Sequence, residues 1–208
     1  MPNWCGNKLT VHGPKAEVQR FIEEAIGPEH VLWKPGERER EDNTPIPTTH
    51  LSLPQLVPPP AELLASLSYD RRNHTKAAYE QGLEVLGIKP ATSGCSWQVQ
   101  HWGTKWGVEA DAPAVVVAND EASAVYEFQS AWSPITPAVR TMSARYPALR
   151  FELQFIGEGN DFSGRVVFQA SEPLVWGDDA ASVQRAMQFL DEEDELRGVK
   201  PWGKRPTS

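Results

Sequence analysis

From Ala148 to Gly157 the chain reads ALRFELQFIG, with Leu149, Phe151, Leu153 and Phe155 at every second position. Side chains on a strand alternate between faces, so this run presents one apolar face and one polar face. Such a segment belongs in a sheet with one side buried under other elements. Gly157 to Gly164 turn the chain, and RVVFQA at 165–170 returns as a hairpin partner.

The covering layer is legible in the same way. In NKLTVHG (7–13), Leu9 and Val11 face one way and Lys8, Thr10 and His12 the other, which predicts a half-buried strand. Gly13-Pro14 ends it, and Pro14 suits a first helical position. Val18, Phe21, Ile22, Ala25 and Ile26 then recur at helical spacing, predicting a helix over 15–26 that Gly27-Pro28 stops. Residues 104–118 look extended. SAVYEFQSAW (123–132) alternates, with Ala124, Tyr126, Phe128, Ser130 and Trp132 on one face. Ser133-Pro134 opens a second helix over 134–146, lined by Ile135, Val139, Met142 and Tyr146 and closed by Pro147. Ala180, Val183, Ala186, Met187 and Leu190 form the stripe of a last, acidic helix over 179–195.

Between the first helix and the middle strands the periodicity fades. Residues 28–60 hold ERERED (37–42) and many prolines and read as a long loop with extended pieces. Helical patterns follow over 61–67 and 75–86, the second ended by Gly87. The order is β-α-(insertion)-β-β-α-β-β-α. It predicts an α+β, ferredoxin-like fold: a split βαβ antiparallel sheet, helices on one face, and a large helical and irregular insertion after the first β-α unit. Residues 1–27 and 101–175 form the expected core, 28–100 the Pro-rich insertion, and 176–208 an acidic C-terminal helix and tail.

Charge and composition narrow the function classes. The chain is 40% hydrophobic and 23% charged, as a globular protein and not a disordered one would be. No apolar run approaches the roughly 20 residues of a membrane span. MPNWCGNK lacks a secretion signal, so a cytoplasmic location is expected, with Cys5 and Cys95 as thiols. Neither cysteine belongs to a C-x-x-C pair, and the histidines (12, 30, 50, 74, 101) are scattered, so no metal or cofactor is expected. Net charge is −8, and residues 178–196 hold Asp178, Asp179, Asp191, Glu192, Glu193, Asp194 and Glu195 against Arg185 alone. The remainder is nearly neutral, without the basic face that neutralises phosphates, and nucleic acid is disfavoured as a partner. No phosphate-binding glycine loop, H-E-x-x-H or G-x-S-x-G occurs.

Several motifs together resemble one family: MPNWCGNKLTVHG (1–13), QLVPPP (55–60), HWGTKWGV (101–108), AWSPI (131–135), YPALRFELQFIGEG (146–159) and DFSG (161–164). The combination is similar to the YubB-like family of bacterial, plasmid and phage proteins. That resemblance implies a ferredoxin-like domain with a helical N-terminal insertion and a setting among mobile genetic elements. It implies no activity and no catalytic residues.

Four constellations are candidates. Trp97, His101, Trp102, Lys105 and Trp106 could form a binding surface whose rings stack on a ligand. Alternatively they are core pieces clamping the insertion onto the sheet, since indoles bury much area and need one acceptor each; the core reading is favoured. Cys5 could be a nucleophile if His12 or His101 approached it; buried structural cysteine is the more common case. Glu158, Asn160 and Asp161 could hold a cation, but they also suit a hairpin turn. The acidic run Asp191, Glu192, Glu193, Asp194 and Glu195 is a solvated face or a surface for a basic partner; at a helix C-terminus it opposes the macrodipole.

The leading functional expectation is a non-enzymatic accessory protein. It would contact a host or element-encoded protein through Trp102, Lys105, Trp106 and the acidic run, for example as an inhibitor of a host defence system. The alternatives are an enzyme using Cys5, His101 or Lys105, and a single-strand nucleic-acid binder using Trp102, Trp106 and Tyr126.

Overall fold

The structure is a computed structural model describing residues 3–30, 32, 46–66, 76–88, 96–159 and 162–177. Strand β1 (Trp4–Pro14) leads into helix α1 (Lys15–Ala25), and a short strand β2 (Gly27–Pro28) pairs with β3 (Thr48–Thr49). Four helices follow: α2 (Leu53–Leu56), α3 (Ala61–Ser66), α4 (Lys76–Val85) and α5 (Ser96–His101). Then come β4 (Ala114–Ala118), β5 (Glu121–Ala131), α6 (Thr136–Arg145), β6 (Arg150–Gly157), β7 (Ser163–Gln169) and β8 (Glu172–Gly177).

The main sheet is six-stranded, in the order β4-β5-β1-β6-β7-β8, with every neighbouring pair antiparallel. The first four of these strands carry the split βαβ arrangement, with β1 held between β5 and β6. This is the ferredoxin-like fold expected from the element order, extended at the β6 side by β7 and β8. Strand β8 was not legible in the sequence: its residues EPLVWG carry a proline at the second position and follow a tight turn in which Ala170 and Ser171 have positive φ.

The two-residue period places side chains as read. Leu9 lies between Tyr126 and Leu153, and Val11 between Ala124 and Phe151, all on one buried face. Phe21 of α1 packs edge-on against Tyr126, Tyr146 and Phe151, with ring centroids 6.1, 5.2 and 5.4 Å away. Each such pair adds roughly 0.5–1.5 kcal/mol beyond the area it buries. Helix α1 packs on β1 and β5, and α6 on β6 and β7.

Two short helices in the region read as insertion join this layer. Helix α2 packs against α1 and α6, and α5 against α6. Helix α2 was not expected in a proline-rich loop; the Ser52 side chain caps it by accepting from the Gln55 N–H, and Pro54 sits in its first turn. Leu51, Leu53, Leu56, Leu63, Tyr79, Leu83 and Trp97 belong to the same apolar core as Leu9 and Phe151. The run 104–118 is a strand only over its last five residues, because 102–109 form a loop that crosses the end of the sheet.

Candidate functional site

The predicted aromatic residues gather where β1 begins and β5 ends. Thr104 locks the crossing loop there: its hydroxyl donates to the Ala131 carbonyl at 3.1 Å and accepts the Ala131 N–H at 2.9 Å. Gly103 lies beside it at φ +83°, with the Pro134 carbonyl where a Cβ would stand. A side chain at 103 would be strained and would also collide, so glycine is required.

The lock sorts the candidates. Trp102 is fully buried, its indole N–H donating to the Val57 carbonyl at 2.9 Å, and its ring meets Trp97 edge-on at 5.4 Å. It holds the insertion to the core and offers no face to a partner, which corrects its place among the surface residues. Trp97 is buried as well; His101 stacks on it at 4.6 Å, and burial pushes the imidazole pKa down. Trp106 is half-buried, edge-on to Trp4 at 6.3 Å. Tyr126 lies in the core with its hydroxyl pKa raised by burial. Of the three rings proposed to stack on nucleic-acid bases, only Trp106 reaches the surface.

Lys105 sits over the ring of Trp132, 4.4 Å from its centroid. Trp132 was expected to share the inward face of Tyr126 and Phe128. Instead β5 ends at Ala131 and Trp132 turns to φ +74°, leaving the ring 43% exposed. The positive φ is sparsely populated for a bulky residue and costs on the order of 1–3 kcal/mol. The Trp132 N–H donates to the Asn3 carbonyl at 2.9 Å, which helps hold that turn. The signal for it was the Trp-Ser-Pro sequence, in which a strand has to stop before the helix proline.

The groups proposed for catalysis stand in separate environments. Cys5 is buried, with its sulfur 3.7 Å from the Gly6 carbonyl. His101 is held on Trp97 and Lys105 on Trp132. His12 is exposed, beside Ser123 and Glu121. Among the described residues no three His, Cys, Asp or Glu side chains gather closely enough to hold a metal ion, and no helix is long and apolar enough to cross a membrane. In the hairpin turn, Glu158 ties back to β1, accepting the Trp4 N–H at 3.1 Å while its own N–H reaches the Trp4 carbonyl at 2.9 Å. Asn160, Asp161, Cys95 and the acidic residues 191–195 lie outside the described residues.

Two features escaped the sequence reading. Asn7 falls on the inward face beside Leu9; its amide donates to the Cys5 carbonyl and the Ser130 hydroxyl, both at 2.8 Å, while Oδ1 lacks a hydrogen-bond partner among the described residues. A polar residue at an inward register position was the available signal. The other is the edge strand β4, AVVVA. All five of its positions are exposed, with Val115 at 49%, Val116 at 59% and Val117 at 50%. Its continuous apolar run is ordinarily the mark of a strand covered on both faces.

Residues 101–200 match the model of a family described as the ferredoxin-like domain in Api92-like protein. The crystal structure of protein api92 from Yersinia pseudotuberculosis aligns with 86% of this chain and 99% of that chain, at 10% sequence identity and a TM-score of 0.43. No curated protein matches the sequence. The resemblance to the YubB-like family is thereby corrected: the family whose model matches is the Api92-like one, and nothing found points to the other. Over residues 101–200, then, the chain is similar to the ferredoxin-like domain of Api92-like protein, the same fold that its strand order displays.

Proposed function

We propose that this chain is a non-catalytic protein that binds an extended segment of another protein along the free edge of β4. The observation that supports this is the exposure of Val115, Val116 and Val117 on an end strand paired only with β5 among the described residues. An exposed apolar edge is a ready template for an added strand, and natural edges usually blunt it with lysine, proline or a bulge. Here no charge interrupts the run.

Charge selects the partner. Glu109 and Asp111 stand exposed before β4, and Asp120 and Glu121 after it. An apolar segment with Lys or Arg at both ends complements that frame. A second copy of the chain does not: antiparallel pairing about Val116 brings the acidic Glu109–Asp111 end of each copy up to the acidic turn at Asp120 of the other, and like charges brought together across strands destabilise a ladder. The narrower expectation, a mobile-element protein inhibiting a host defence, drew on the YubB-like resemblance and loses that support.

The test is a library of extended peptides with five-residue apolar centres, flanked either by basic or by acidic residues, screened against the full chain. Binding of the basic-flanked set, abolished by Val116→Lys, is the expected result. Failure of both sets to bind, or binding indifferent to Val116→Lys, would overturn the reading.

A further inference from the structure

Strand β4 differs on its two faces. The row that crosses the sheet from Val115 continues through Ala124, Val11, Phe151 and Phe168, all apolar and all buried. The row from Val116 continues through Ser123, His12, Arg150 and Gln169, all polar and none of them buried. Helices lie over the first row, but their cover stops one strand short of the edge. Helix α1 packs on β1 and β5, where Ala122 and Ala124 are sealed, while their β4 neighbours Val117 and Val115 stand half-exposed. The flank of α1 toward β4 carries Ile22, which is partly buried against the core. Glu24 marks the other flank, since it reaches α6 through Arg145 and Tyr146, and two residues along a helix turn the side chain by about 200°.

Resting on the edge-binding reading above, we propose that the segment bound at β4 is amphipathic and not uniformly apolar: bulky apolar side chains beside Val115 and Val117, a polar one beside Val116, and basic residues at both ends. Residues directly opposite each other in a ladder share a face. Side chains set beside Val115 and Val117 therefore enter the recess that α1 leaves open next to Ile22, and extend the apolar row under the helical layer. A side chain beside Val116 extends the polar row instead, where an apolar group removes little surface from water. The exposed Glu109, Asp111, Asp120 and Glu121 supply the charge that the basic ends answer. Val115 and Val117 thus set the specificity of the edge. A one-residue slip of the partner turns its apolar set away from the recess, so these two valines also fix its register.

The test is binding of a labelled peptide, Lys-Lys-Leu-Thr-Leu-Thr-Leu-Lys-Lys, to the full chain and to three variants, read by fluorescence anisotropy. Threonine keeps the branched shape and strand preference of valine but adds a hydroxyl, and all three positions are exposed, so Val115→Thr, Val116→Thr and Val117→Thr should each keep the fold. Thermal unfolding checks that they do. Val115→Thr and Val117→Thr are expected to weaken binding at least fivefold each, and Val116→Thr to leave it within twofold. Equal responses at the three positions, or a peptide with a uniformly apolar centre binding where the alternating one does not, would overturn the two-faced edge while leaving edge binding itself in place. Failure of both peptides to bind would overturn the edge reading and this inference together.

Discussion

Arg165 grips Glu152 at two points on neighbouring strands, Nε to Oε1 at 2.8 Å and Nη2 to Oε2 at 2.6 Å. Burial pushes the Glu152 carboxyl pKa up, but the guanidinium outweighs it and the carboxyl is held below its usual value. A two-point contact of this kind is stronger and more directional than a simple ion pair.

Glu152→Gln should therefore cost about 2 kcal/mol at neutral pH, the scale of a hydrogen bond to a charged group. Because the folded carboxyl is depressed, the pair stabilises above the unfolded glutamate pKa of about 4.3 and its contribution fades as pH falls through the folded value. Urea denaturation at pH 7 and pH 3 should show the gap between native and variant narrowing in acid. A constant gap would mean that the charge is not what the pair contributes.

Trp102→Phe removes the indole N–H and leaves the buried Val57 carbonyl without its donor. The expected loss is about 1–3 kcal/mol, rising to roughly 3–5 kcal/mol in Trp102→Ala, where a cavity adds to the cost. Chemical denaturation reads both. If Trp102→Ala were neutral, the indole would not be the clamp described above.

Cys5 should resist alkylation in the folded protein, since its sulfur is buried beside the Gly6 carbonyl. Iodoacetamide labelling with peptide mapping, which separates Cys5 from Cys95, is expected to modify Cys5 at a measurable rate only in denaturant. Rapid labelling of Cys5 near neutral pH would revive the nucleophile alternative.

Trp132→Gly relieves a positive φ but gives up the Lys105 contact. The relief, on the order of 1–3 kcal/mol, and the loss, about 0.5–1 kcal/mol at an exposed site, oppose each other, so the variant should be no less stable than the native protein. A drop of several kcal/mol in a denaturation curve would show that the ring packs more deeply than its exposure indicates.

Gly107→Ala should be severely disruptive, because the Glu29 carbonyl occupies the place of an added Cβ and backbone cannot rotate out of the way. Hydrogen exchange is expected to show loosening at both 28–30 and 104–108. Unchanged protection at Glu29 would contradict this close approach.

Local patterns carried most of the fold. Leu9 and Val11, Phe151 and Leu153, and the Val18–Phe21–Ala25 stripe all fall on the faces that their spacing predicts. What failed to show were features set by distant neighbours. Strand β8 depends on pairing with β7, α5 on Trp97 entering a core built by remote residues, and the turn at Trp132 on the Asn3 carbonyl. The candidate site was half legible: the aromatic cluster was open to a surface or a core reading, the core reading holds for Trp97 and Trp102, Lys105 and Trp106 stay half-buried, and β4 was missed as an edge.

By itself the sequence determined which faces of its strands and helices are apolar, because two- and 3.6-residue periods are properties of the local backbone. Only the tertiary structure decided which indole is sealed, which thiol is buried and which strand ends the sheet. Those outcomes depend on what packs across tens of residues of chain, and no short window contains its own partner.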